Sequence, residues 1–242
     1  MTYKSRLTIA LLILTIALAL PVAAQMAPGG QGAGGLQEKI ASLKQAAAEN
    51  QQRLHQYQWI ETTQLTLKGE AKPPKQELCS YAPDGTVQKT PIGDSQPQQQ
   101  QGRRLRQHIV EKKTEEMQEF MQQVKGLLAL YLPPNSQSIQ QAYQSGNVSM
   151  NATAGSGFAQ LIFRNYAQPG DQMALYLDTR TKTIQQINIS TYLNDPKDVV
   201  QLAVQFAGLP DGTNYAQQTV VDVPNKKMQV TITNSDYQRL AP

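Results

Sequence analysis

The chain is poor in the residues that carry most enzymatic chemistry. Of its 242 residues one is cysteine and two are histidine. A lone Cys79 cannot close an internal disulfide, so a protein exported into an oxidising compartment must take its stability from its core. Glu77, Leu78, Cys79, Ser80 and Tyr81 alternate as a strand does, which favours a buried structural thiol, with intermolecular pairing or redox sensing as the alternative. His55 and His108 stand far apart in sequence, each in a helical stretch, with no HxxxH or HxH spacing for a metal. Gly155, Ser156 and Gly157 lack the earlier glycine of a GxSxG nucleophile turn, and no glycine loop ends in Lys-Ser or Lys-Thr to cradle a phosphate. Glu115, Glu116 and Glu119 lie among lysines, as on a solvated helix face. No catalytic residue, metal ligand or cofactor is nominated, and the expectation is a protein that is not an enzyme.

Charge is also scarce, at 17% of residues. Setting Lys4 and Arg6 aside leaves 20 basic residues against 18 acidic, a net +2, too weak a field for nucleic acid. No repeat of fixed period is visible, which removes solenoids and propellers. Three N-x-S/T triplets, at Asn147, Asn151 and Asn188, matter only in a eukaryotic secretory route.

What is present begins with an address. Lys4 and Arg6 precede the apolar run Leu7 to Leu20, and Val22, Ala23 and Ala24 put small residues where a signal peptidase cuts. The run is shorter than the roughly 20 residues a bilayer core requires. Cleavage after Ala24 is expected, with a retained membrane anchor as the alternative, and no cysteine stands at the cut to accept a lipid. The expected layout is a signal peptide over 1–24, a flexible glycine-rich tether over 25–35, and one α+β domain over 36–242, periplasmic or secreted after cleavage.

From Leu36 the spacing of Ile40, Leu43, Ala47 and Leu54 predicts an amphipathic helix ending near Tyr57. Trp59 then opens an extended run to Leu67, and the turn at Pro83, Asp84 and Gly85 separates strand arms Gln76–Tyr81 and Val87–Ile92. Gln96 to Gly102 is a glutamine-rich loop. Arg103 to Leu132 carries the strongest helical stripe, stopped by Pro133 and Pro134, and its second half holds the larger apolar groups. A short helix from Ser138 to Gln144 follows. Val148 to Ala167 is broken at Ala154 to Gly157, after which Phe158, Leu161 and Phe163 fit a strand.

The strongest pattern runs from Asp171 to Tyr237, where apolar and polar residues alternate between turns. Met173, Leu175 and Leu177 share one side, as do Ile187, Ile189 and Thr191, then Leu202, Val204 and Phe206, Val221 and Val223, and Met228, Val230 and Ile232. Asp195 to Asp198 could also cap a helix over 198–207, against the strand that the alternation favours. Pro224 to Lys227 suits a reversal in which Asn225 tolerates the left-handed region. The expected fold is a curved antiparallel sheet, a half-barrel-like meander, covered by amphipathic helices.

Leu36 to Tyr57 leading into Trp59 to Leu67, the turn Tyr81 to Gly85, and the hairpin Leu175–Ile184 with Ile187–Tyr192 together resemble the periplasmic lipoprotein-localisation carriers of the LolA and LolB type. The resemblance is one of topology and spans most of the mature chain. The repeated tryptophan and proline-phenylalanine strand segments of those carriers are missing here, and the helix from Arg103 is longer. The resemblance implies a sheet wrapped around a hydrophobic cavity, helices acting as a lid, and acyl-chain or lipid binding.

Two functions compete. In the first, the protein binds or carries a hydrophobic ligand, a lipid or lipoprotein acyl chain, in the envelope, with transient membrane contact. The cavity would be lined by Leu175, Leu177, Ile187, Ile189, Phe206, Met228 and Val230, under a lid helix bearing Phe120, Met121, Val124 and Leu128. Each CH₂ moved from water to such a lining is worth roughly 0.8 kcal/mol. In the second, the helix permanently fills the sheet and the protein is an interaction or structural module for an envelope protein.

Overall fold

A computed structural model describes residues 45–93, 116–117, 119–132, 134, 136–152 and 157–240. The Ala24 cleavage site, the 25–35 tether, residues 36–44 of the first helix, the glutamine-rich loop with His108, and residues 103–115 of the long helix lie outside them. Among the described residues eleven strands form one open antiparallel sheet. Helix α1 covers 45–54 and turns directly into β1, Tyr57–Leu67. Strands β2 (Glu70–Ala71), β3 (Lys75–Tyr81) and β4 (Val87–Pro91) follow. Helix α2 comprises 116, 117 and 119–128, and α3 is Ser136–Gln144. The remaining strands are β5 (Val148–Ala152), β6 (Phe158–Arg164), β7 (Gln172–Asp178), β8 (Thr183–Tyr192), β9 (Val199–Gly208), β10 (Asn214–Val223) and β11 (Met228–Arg239).

The spatial order is β4-β3-β1-β11-β10-β9-β8-β7-β6-β5, with β2 beside β1. From β5 to β11 each strand pairs with the next in sequence. The ladder is joined to the N-terminal strands where β11 returns to pair with β1. The stretch is therefore strand, from Val199 to Gly208, and the helical alternative for 198–207 falls: Leu202 faces Ile189 on one side and Val221 on the other. The ambiguous stretch after Asn147 is a hairpin, β5 with β6.

Period two, carried through this register, builds continuous apolar rows on the inner face. One row reads Phe163, Met173, Ile189, Leu202, Val221, Val230 and Leu65, each opposite the next across seven strands. Such side chains contribute about 1.5–3 kcal/mol each when fully buried, which is what makes this face worth covering. Helix α2 lies on it: Val124, Leu127 and, past its last turn, Tyr131 and Leu132 are buried in the same cluster. Ala142 of α3 joins them.

The turns follow backbone chemistry. Gly85 takes φ +81°, a conformation open to glycine at no steric cost, and the Pro83-Asp84-Gly85 reversal forms as expected. At 224–227 the left-handed residue is Lys227 (φ 49°) and not Asn225. Asn225 sits inside a 3₁₀ turn and spends its amide on the Lys197 carbonyl instead.

Candidate functional site

Above the apolar rows the inner face changes character. Thr63 is opposite Ile232, but one step along β1 the next inward residue is Glu61, opposite Asn234 on β11 and Glu77 on β3. Glu61 is 1% exposed and Glu77 is 6% exposed. A buried carboxylate is tolerable only when paired. Lys89 Nζ donates to Glu61 Oε1 at 2.6 Å, and Lys75 Nζ lies 2.6 Å from Glu77 Oε1. Cys79 is between these pairs, wholly buried, its thiol pushed up to about 12 chiefly by burial and secondly by the Glu61 charge. It is the inert packing thiol that its strand pattern predicts.

Beside this polar row stands an aromatic cluster. The Trp59 ring lies parallel to Tyr237 with centroids 5.5 Å apart, Tyr81 is 5.3 Å from Trp59, and Tyr215 is 4.3 Å from Tyr237. Burial raises the hydroxyl pKa of both Tyr81 and Tyr237. His55, at the end of α1, stacks on Tyr81 at 4.5 Å. The Trp59, Tyr81, Tyr215 and Tyr237 rings floor a cleft of about 550 Å³ roofed by α1 residues including Asn50, Gln51 and Leu54. Asn50 holds the roof down by copying a strand: its Nδ2 donates to the Asn214 carbonyl and its Oδ1 accepts from the Asn214 N–H, both at 2.6 Å.

A second, narrower cleft of about 110 Å³ separates α2 from β9 to β11. Met121, Val124 and Leu128 form its helical wall, and Leu202, Val204, Val221 and Ile232 its floor. Ala216 and Asn234 line both clefts, so the wide polar-aromatic space and the narrow apolar one share a wall. Three buried polar atoms near that wall have no partner among the described residues: Trp59 Nε1, Glu61 Oε2 and Asn234 Oδ1. The Asn234 amide donates through Nδ2 to the Ala216 carbonyl at 2.8 Å, which leaves its oxygen as the unpaired atom.

The residues nominated from sequence divide. Phe206 lines the wide cleft, and Met121, Val124 and Leu128 the narrow one. Leu175, Leu177, Ile187, Ile189, Met228 and Val230 are buried in the core cluster and line neither cleft. Phe120 packs against the core from the helix edge, with Lys226 Nζ 5.4 Å from its ring centre. Sequence reasoning missed Trp59, Glu61, Ala216 and Asn234. The available signal was a single tryptophan two residues from a glutamate in an alternating strand, with both on one side.

The opposite end of α2 is fixed. Tyr131 Oη donates to Asp171 Oδ2 at 2.6 Å and lies 2.6 Å from Thr191 Oγ1. Asp171 also accepts from the backbone N–H groups of Tyr166, Ala167 and Gln168 at 2.6, 2.9 and 2.8 Å. Burial, with the hydrogen bond to Asp171, raises the Tyr131 hydroxyl pKa and keeps it a donor. Among the described residues no group of His, Cys, Asp and Glu could hold a metal, and no helix is long and apolar enough to cross a membrane.

No family model and no curated protein matches the sequence. Among solved structures the chain is similar to a DUF1329 family protein from Desulfovibrio piger, at 9% identity and a TM-score of 0.36, covering 83% of this chain and 92% of that one. It is also similar to a structure described as an outer membrane lipoprotein-sorting protein domain from Vibrio parahaemolyticus, at 12% identity and a TM-score of 0.32, covering 83% and 93%.

Proposed function

We propose that the protein is a non-enzymatic carrier or sensor of a hydrophobic ligand in the bacterial envelope. The observation that carries this reading is the apolar cleft between α2 and β9 to β11, open on the face that the sheet buries elsewhere. The tail of a lipid or acyl chain lies along Leu202, Val204, Val221 and Ile232. The cleft is small, so the chain takes its room from Met121 and Leu128, which are only partly buried, and chiefly from Met121, which lies in the helix well before the Tyr131 anchor. Methionine adapts to such a change with little cost. The half-barrel wrap, the export after Ala24, the single domain over 36–242 and the transient membrane contact belong to the same proposal. In it, the buried residues Leu175, Leu177, Ile187, Ile189, Met228 and Val230 become ligand contacts only as α2 moves away.

A second reading is favoured by Val124, Leu127, Tyr131 and Leu132, which fill the inner face as a packed core does. In that reading the protein is an envelope interaction module. Native mass spectrometry and solvent extraction of the purified protein separate the two. Bound lipid, and displacement of a fluorescent fatty-acid probe that Ala216→Leu weakens about tenfold while the thermal midpoint holds, supports the carrier. An empty protein that takes up no probe supports the module.

A further inference from the structure

Trp59, Glu61 and Asn234, each with an unpaired buried polar atom, line one or both of the two clefts. We infer that, when the chain carries an amphiphile, it selects an uncharged, hydrogen-bonding head such as a glycerol ester or an amide, and discriminates against free fatty acids. This rests on the carrier reading and deepens it.

Buried polar atoms without partners are uncommon, because each forfeits its hydration without compensation. Five such atoms occur among the described residues: Thr213 Oγ1, on a residue that lines neither cleft, Arg53 Nε, on the α1 roof of the wide one, and one donor, Trp59 Nε1, with two acceptors, Glu61 Oε2 and Asn234 Oδ1, on the sheet residues of the two clefts. Trp59 is 2% exposed and Glu61 1% exposed, so neither is satisfied by bulk water. Asn234 lines both clefts, Glu61 the narrow one and Trp59 the wide one, so a tail under α2 brings its head to this place. A group with one acceptor and one or two donors completes the set: its oxygen takes the Trp59 N–H, and its O–H or N–H groups reach the two oxygens.

Charge decides the class of head. Glu61 and Glu77 are already balanced by Lys89 and Lys75. A carboxylate head would bring a third negative charge against the unpaired Glu61 oxygen and could donate to neither acceptor. An ammonium head would find acceptors but leave Trp59 Nε1 unmatched and add a buried positive charge to a neutral group.

The test compares ligands sharing one tail: monoolein, oleate and oleylamine, at about pH 8.5 where a carboxylic acid is ionised. Binding to the full chain is read by native mass spectrometry and by quenching of its single tryptophan, Trp59. Monoolein is expected to bind about tenfold or more tighter than either charged ligand, a ratio typical of one unmatched polar contact in a closed site. Glu61→Gln should bring oleate to within about threefold of monoolein. Trp59→Phe, read by mass spectrometry, should weaken monoolein several-fold and leave a purely apolar probe unaffected, which keeps the inference testable if Glu61→Gln does not fold. Equal binding of the three heads, or a preference for oleate or oleylamine, overturns the head assignment while the carrier reading stands. Binding of none of them, nor of the apolar probe, removes the carrier reading and the head with it.

Discussion

Single residues here do their work by standing where their type is unusual, and Asp171 shows it best. Its carboxylate is 2% exposed, yet it takes one hydroxyl and three backbone N–H groups, so its burial is fully compensated. Those N–H groups belong to the loop between β6 and β7, and the hydroxyl belongs to the end of α2. One side chain thus folds a loop and tethers a helix. Asp171→Ala would leave four donors to find other partners, at about 1–3 kcal/mol for each that stays buried and unpaired. The expected loss is about 3 kcal/mol or more, visible as a lower midpoint in urea unfolding. Tyr131→Phe removes one of the four bonds to Asp171, together with the Tyr131–Thr191 hydroxyl contact, and should cost about 1–2 kcal/mol. Equal losses for the two variants would show that the loop contacts contribute nothing. Glu61 is the contrasting case: one of its oxygens is paired and the other is not. A stability argument explains the first oxygen and not the second.

Among the elements, α2 buries one face and leaves its flanks half-exposed. Phe120, Met121 and Leu128 are partly buried, whereas Val124, Leu127 and, beyond the last turn, Leu132 are buried. Leu132→Ala should therefore cost about 2–5 kcal/mol, as a fully packed leucine does, and Phe120→Ala clearly less than the 3–5 kcal/mol of a core phenylalanine. Comparable losses in chemical denaturation would mean that the helix is uniformly core, and the lid reading would weaken accordingly. The strands, by contrast, were readable in advance, because in an antiparallel meander each inward row is also a period-two row in sequence. Met173, Leu175 and Leu177 needed no structure to be placed on one face, nor did Met228, Val230 and Ile232. The clefts were not readable. They arise where β1 from the start of the chain pairs with β11 from its end, putting Trp59 and Glu61 beside Asn234 and Tyr237. No local pattern encodes a pairing across that much sequence. For the same reason the nominated lining fell mostly on the strongly patterned strands β7, β8 and β11, whose inward residues are buried in the core cluster, while Phe206 of β9 alone among them lines a cleft, and space opens instead where packing is interrupted by polar residues.

At the scale of the whole molecule the sheet has two unlike parts. From β6 to β11 the inner face belongs to one apolar cluster with α2 and α3, while no residue of β3 or β4 enters that cluster among the described residues. What β3 presents inward is Lys75, Glu77, Cys79 and Tyr81, and β4 adds Lys89. This end is held by ladder hydrogen bonds, two ion pairs and the aromatic stack on Trp59. Paired charges of this kind return little net stability, because desolvation offsets most of their attraction. Strand β4 is moreover an edge of the sheet among the described residues, with β3 as its neighbour there. Local opening should follow that division. In native-state hydrogen exchange the amides of β3 and β4 are expected to open at markedly lower free energy than those of β8 and β9, which approach the global value. A ligand head seated on Trp59, Glu61 and Asn234 would contact the strand that β3 flanks. Monoolein should then raise protection in β3 and β4 selectively, whereas a tail bound without its head should protect α2 and leave β3 and β4 unchanged. Uniform exchange across all strands would contradict the two-part sheet, because it would mean that the polar end is held as firmly as the apolar one.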